Sequence, residues 1–156
     1  MKLIFFLFFL ISIKITAQCN NSINLLLESG FDKKWDLNKG IYYVWVDGKF
    51  IEVKFNLSKR EMKKIVRNIY LYKIDKLHSK VNIADSCRIM PKIYTKLNLK
   101  IKTKSINIEI DTACNNYFYY KKFNPQNVKK FIQSLLDILK ANSEIKNSIE
   151  SNMIYL

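Results

Sequence analysis

Glycine, proline and histidine are nearly absent from this chain, with three, two and one among 156 residues. Gly30, Gly40 and Gly48 stand far apart, so a glycine-rich phosphate-binding loop is excluded. With His78 as the only histidine, a Ser-His-Asp or Cys-His system has a single candidate base, and no nucleophile-elbow pattern accompanies it. Between Lys76 and Lys80, with no second ligand type at metal spacing, His78 reads as a surface residue. No CxxC, HExxH or EF-hand pattern occurs. The carboxylates Asp47, Glu52, Glu109 and Asp111 read as turn formers or lysine partners. These gaps weigh against an enzyme: no catalytic, cofactor-binding or metal residue is assigned, and no cofactor is expected.

Acidic residues are also scarce, at 13 against 27 lysines and arginines, for a net charge of +14. Only Arg60, Arg67 and Arg88 are arginines. Lysine is a hydrated point charge, whereas arginine offers the fork that reads bases and phosphates. Specific nucleic-acid binding is therefore disfavoured, and loose attraction to an anionic envelope surface fits better. A chain this rich in Lys, Ile and Asn also has base composition as an explanation that needs no partner.

The one long apolar run is residues 3–13, LIFFLFFLISI, after Met1-Lys2 and before the small and polar residues 15–18. That is the order of a secretory signal peptide, and the run is short for a membrane span of about 20 residues. The expected division is a signal peptide at 1–18 and a single domain at 19–156. Loss of Lys2 and Lys14 would leave a charge of 14 − 2 = +12. An uncleaved anchor and lipidation at Cys19 are the alternatives; Gln18 stands where a lipoprotein signal carries a small residue. The protein is expected to be secreted or periplasmic, with no membrane span in the mature chain. Export permits a disulfide, and Cys87 and Cys114 bracket a hairpin at whose open end they could meet. Two buried free thiols are the competing reading.

What is present is strong patterning. Residues 41–55, IYYVWVDGKFIEVKF, read as a β-hairpin turning on Asp47-Gly48, since a type I′ turn needs positive φ at both central positions. In that register Val46 faces Lys49, Val44 faces Ile51 and Tyr42 faces Val53. One face is almost wholly apolar. The other carries Tyr43, Trp45 and Phe50, a candidate binding surface. The expectation is nonetheless that the segment around Leu25–Leu27 and Trp35 covers this aromatic face, because large exposed apolar patches are rare on monomers; a partner is the alternative cover. Residues 20–30 read equally as a short helix or a strand, and 31–38 as a short edge strand.

Ser58 and Glu61 form a capping box, opening a helix to about Lys73. Its apolar side holds Met62, Ile65, Val66, Ile69 and Tyr72. Lys59, Arg60, Lys63, Lys64 and Arg67 form a candidate basic face, which is either a solvated surface or a site for an anionic partner. Residues 75–91 read as an irregular link. Residues 94–111 alternate cleanly as a second hairpin; a turn near Thr103-Lys104 would set Leu99 opposite Ile108 and Leu97 opposite Ile110. Asn124-Pro125 then caps a helix ending near Ala141-Asn142, with a further turn after Ser143. The implied fold is α+β: a four-stranded antiparallel sheet of two hairpins, each followed by an amphipathic helix packed on one face, a ββαββα two-layer sandwich.

The run KF-x-LS-x-x-E at positions 54–61, a hairpin ending in an acidic residue, a lysine-rich amphipathic helix and a short tail ending Tyr-Leu together resemble a group of small exported bacterial proteins and lipoproteins. The resemblance spans about residues 50–156. It implies an exported domain and carries no catalytic residues. The expected function is a non-enzymatic binding domain for a protein or envelope partner. A periplasmic inhibitor or immunity-like protein, a polyanion or envelope-surface binder, and a hydrolase using His78 are the alternatives.

Overall fold

The computed structural model describes residues 23–83, 93–111 and 124–152. The expected signal peptide and Cys19, the Cys87–Cys114 pairing and the short tail ending Tyr-Leu lie outside the described residues. The elements are β1 (Ile23–Ser29), β2 (Lys33–Asp36), β3 (Ile41–Val46), β4 (Lys49–Lys54), α1 (Lys59–Leu71), a 3₁₀ turn (Ile74–Lys76), β5 (Lys80–Ile83), β6 (Tyr94–Ile101), β7 (Lys104–Asp111), α2 (Pro125–Ala141) and a single turn α3 (Ser143–Lys146).

The strands form one seven-stranded sheet in the order β4-β3-β2-β1-β6-β7-β5. Every neighbouring pair is antiparallel except β5–β7, which is parallel. This overturns the four-stranded antiparallel ββαββα sandwich. The two hairpins are separated by β2 and β1, and the helices are not paired with hairpins. The segment left open between helix and strand is the central strand, because Leu25 and Leu27 alternate with Asn24, Leu26 and Glu28 and fit a sheet with one buried face. β2 is interior rather than an edge strand. Within the expected irregular link, Lys80–Ile83 is a strand at the far edge, burying Val81 and Ile83.

The first hairpin has the expected register to the residue, with Asp47 at φ 48° and Gly48 at φ 82°. The second does not. Its turn is Lys102-Thr103, with Lys102 at φ 54°, so Leu99 faces Ile106, Leu97 faces Ile108 and Lys96 faces Glu109. The slip is two positions in pairing, which keeps every side chain on its expected face. Gly40, at φ 63°, lets the chain enter β3 while its carbonyl accepts the Phe55 amide at 2.9 Å. A Cβ there would stand 2.6 Å from the Phe55 carbonyl oxygen.

One sheet face carries the core. Leu25, Leu27, Trp35, Val44, Leu97, Leu99, Ile106 and Ile108 are buried there with Ile65 and Ile69 of α1 and Val128, Phe131, Leu135 and Leu139 of α2. Each such side chain contributes roughly 1.5–3 kcal/mol by leaving water. α1 starts at the expected capping box: the Glu61 amide donates to Ser58 Oγ at 3.2 Å and the Ser58 amide donates to Glu61 Oε2 at 2.7 Å. α2 starts with Asn124 Oδ1 accepting the Gln126 amide at 2.9 Å. The helices are tied by buried Asn68, whose Nδ2 donates to Ser134 Oγ at 3.1 Å. Trp35 stacks on Tyr42 at 5.1 Å. Burial of Tyr42, reinforced by the Asp32 and Glu150 carboxylates, pushes its phenol up to about 12.

Candidate functional site

Because α1 and α2 pack on one face of the sheet, strand alternation turns the complementary set of side chains away from them. β1 and β2 do not fold over this open face. They pair edge to edge within the sheet, and Leu25, Leu27 and Trp35 point into the core. The expected cover over Tyr43, Trp45 and Phe50 is therefore not supplied by that segment.

The open face has a charged centre and an aromatic corner. Register places Glu52, Tyr43, Lys34, Glu28, Lys96, Glu109 and Asn82 in one row, one residue from each strand. Charges of opposite sign alternate from Lys34 to Glu109, and Lys34 Nζ lies 3.2 Å from Glu28 Oε1. At the corner, Trp45 and Phe50 meet edge to face with centroids 5.1 Å apart. Phe50 is 48% exposed and Phe31, in the β1–β2 turn, is 58% exposed. The Trp45 amide donates to the Asp32 carbonyl at 2.9 Å, which ties β3 to that turn. Beside the corner a cavity of about 320 Å³ is lined by Phe31, Phe50, Tyr94, Lys33, Lys34 and Lys96, among others. Neither Phe31 nor Tyr94 was legible as a member of this site: the pairing of β2 with β3 sets the turn that carries Phe31 beside Trp45, and the pairing of β1 with β6 brings Tyr94.

The second candidate surface lies on the helix side. A groove of about 620 Å³ between α1 and α2 is lined by Arg60, Lys63, Lys64 and Arg67, with Asn68 and Ile138 among its other walls. Four of the five residues of the candidate basic face meet there; Lys59 does not line it. The groove's two carboxylates are engaged by neutral donors: Glu61 by Ser58, and Asp137 by Gln133 Nε2 at 2.8 Å.

His78 is exposed on the approach to β5. Among the described residues no three His, Cys, Asp or Glu side chains gather as a metal site would require. No helix among them is long and apolar enough to cross a membrane. Comparison with protein-family models, with curated proteins and with solved structures finds no match. The residue roles therefore rest on geometry alone.

Proposed function

We propose that this chain is an exported, non-enzymatic binding domain that presents the open face of its sheet to a protein partner through the corner formed by Tyr43, Trp45 and Phe50. The observation that supports this reading is the corner itself. An edge-to-face Trp45–Phe50 pair stands beside exposed Phe31, on the sheet face opposite the helices. Aromatic side chains that combine large area with few rotamers dominate the centres of protein interfaces. The near balance of charge over the rest of this face fits a protein better than a polyanion. Export rests on the pattern of residues 1–18, and intact mass of the protein recovered outside the cytoplasm tests it; a chain kept whole inside the cell would overturn that part.

A photo-crosslinking residue placed at Tyr43 and, separately, at Lys130 on α2 tests the surface in envelope extracts. The Tyr43 position is expected to yield a discrete adduct, competed by unlabelled wild-type protein. A Trp45→Ala/Phe50→Ala competitor should be weaker by about 30-fold or more, the loss typical of hot-spot truncation. Equal adducts from both positions, or undiminished competition by the double variant, would overturn the assignment.

A further inference from the structure

The outer side of α1 combines two features that the sheet does not. Arg60, Lys63, Lys64 and Arg67 recur at helical spacing over a rise of about 10 Å. All four are exposed, and none has a carboxylate within ion-pair distance among the described residues, where the pairs are Lys33–Asp32, Lys34–Glu28, Lys39–Asp36 and Lys76–Asp75. Tyr70 and Leu71 follow at the C-terminal end of the same helix, 46% and 58% exposed. With 3.6 residues per turn, all six side chains fall within an arc of about 120°. The arc opposite holds Ile65 and Ile69, which are buried in the core.

We infer that this stripe is a docking surface for an anionic phospholipid bilayer. Cations without partners attract the phosphate head groups, and the groove between α1 and α2 has room to receive one. A free polyanion would use the cations and leave Tyr70 and Leu71 in water. A bilayer uses both, because an exposed Tyr-Leu pair beside a basic stripe enters the boundary between head groups and acyl chains. α1 would lie along the surface; among the described residues no helix is long and apolar enough to cross a membrane.

Vesicle co-sedimentation of the protein as recovered from the cell tests the inference, using phosphatidylcholine alone and phosphatidylcholine mixed with phosphatidylglycerol. Binding is expected only to the mixed vesicles. Arg60→Gln/Arg67→Gln should weaken it by about 25-fold, at roughly fivefold per charge. Tyr70→Ser/Leu71→Ser should weaken it by about tenfold. Lys80→Gln/Lys100→Gln, which removes two charges from the open sheet face, should leave it within about twofold. A tryptophan at Leu71→Trp should be quenched by brominated acyl chains beyond the wild-type level. Because these positions are exposed, the variants are expected to melt as the wild type does; should the arginine pair unfold the chain, Lys63→Gln/Lys64→Gln carries the same expectation. Equal loss from the open-face pair would reduce the effect to net charge and overturn the inference. So would binding to inorganic polyphosphate without binding to mixed vesicles, or unchanged binding by the serine pair.

Discussion

The two sides of this molecule are built from the same residue types but distribute charge in opposite ways. On the open sheet face, Lys34, Lys54, Lys80, Lys96 and Lys100 are set among Glu28, Asp36, Glu52, Glu109 and the buried Asp111, five cations to five carboxylates. On the helix side, α1 alone carries five cations and one carboxylate, a net 5 − 1 = +4, and α2 adds 3 − 1 = +2. A strand pairs each outward side chain with two neighbours 4.5–5.5 Å away, so like charges directly opposed are costly and alternation is favoured. On a helix, like charges at i,i+3 and i,i+4 also repel, but by only about 0.2–0.5 kcal/mol per pair, and no second strand stands across from the outer arc. Among the described elements the excess charge has collected on the helices, where each like-charge contact costs least. The aromatic residues reverse the pattern: they cluster at one corner of the balanced face.

The sharpest test of this contrast compares residues pointing to opposite faces. Trp35→Ala, which opens a hole in the core, should cost about 3–5 kcal/mol, and Leu27→Ala about 2–5 kcal/mol, in urea denaturation. Trp45→Ala and Leu26→Ala, on the open face, should cost about 1.5 kcal/mol or less, near the worth of one aromatic pair. Comparable losses on the two faces would mean that the open face is covered.

An intermediate effect comes from Tyr42, on the buried face. Its phenol in the folded chain keeps the proton up to about pH 12, whereas the unfolded chain releases it near 10. Above pH 10 the unfolded state binds fewer protons than the folded one, so stability falls as pH rises from 10 to 12 and is unaffected by this group below 10. The loss should approach about 2–3 kcal/mol. Tyr42→Phe should flatten that part of the stability–pH profile; an unchanged alkaline decline in the variant would assign it to other groups.

The smallest effect belongs to the charged row. The Lys34–Glu28 pair is partly exposed, so a double-mutant cycle should return about 0.2–1 kcal/mol, decreasing with salt. A coupling unaffected by salt would show that the row is shielded from solvent.

Much of the local structure was legible, and the reasons are local. The first hairpin could be registered because Asp-Gly suits only a narrow set of turns, and both long helices announce themselves with caps. The aromatic corner was legible for the same reason, since a two-residue turn dictates that Trp45 meets Phe50. The second hairpin lacked such a signal: Lys102-Thr103 and Thr103-Lys104 are equally uninformative, and only backbone strain at Lys102 distinguishes them. β5 was missed because four residues with two apolar positions do not exceed background, and its parallel partner is distant in the chain. The sheet order turns on β1 pairing with β6, a contact that no neighbouring residue specifies. The basic stripe of α1 was legible as a face, but its place along a groove depended on where α2 came to rest.

The position of β1 also sets a timetable. One edge of this strand is satisfied almost at once by β2, and the β1–β4 meander needs only contacts between neighbours in sequence. Its other edge waits for β6, about 65 residues after β1 ends. Until that pairing forms, the meander displays the unpaired backbone of Asn24, Leu26 and Glu28 beside the unburied side chains of Leu25 and Leu27, a template for pairing with another copy. The pairing in the middle of this sheet is therefore the one that closes its longest loop, and it alone joins the two halves of the sheet.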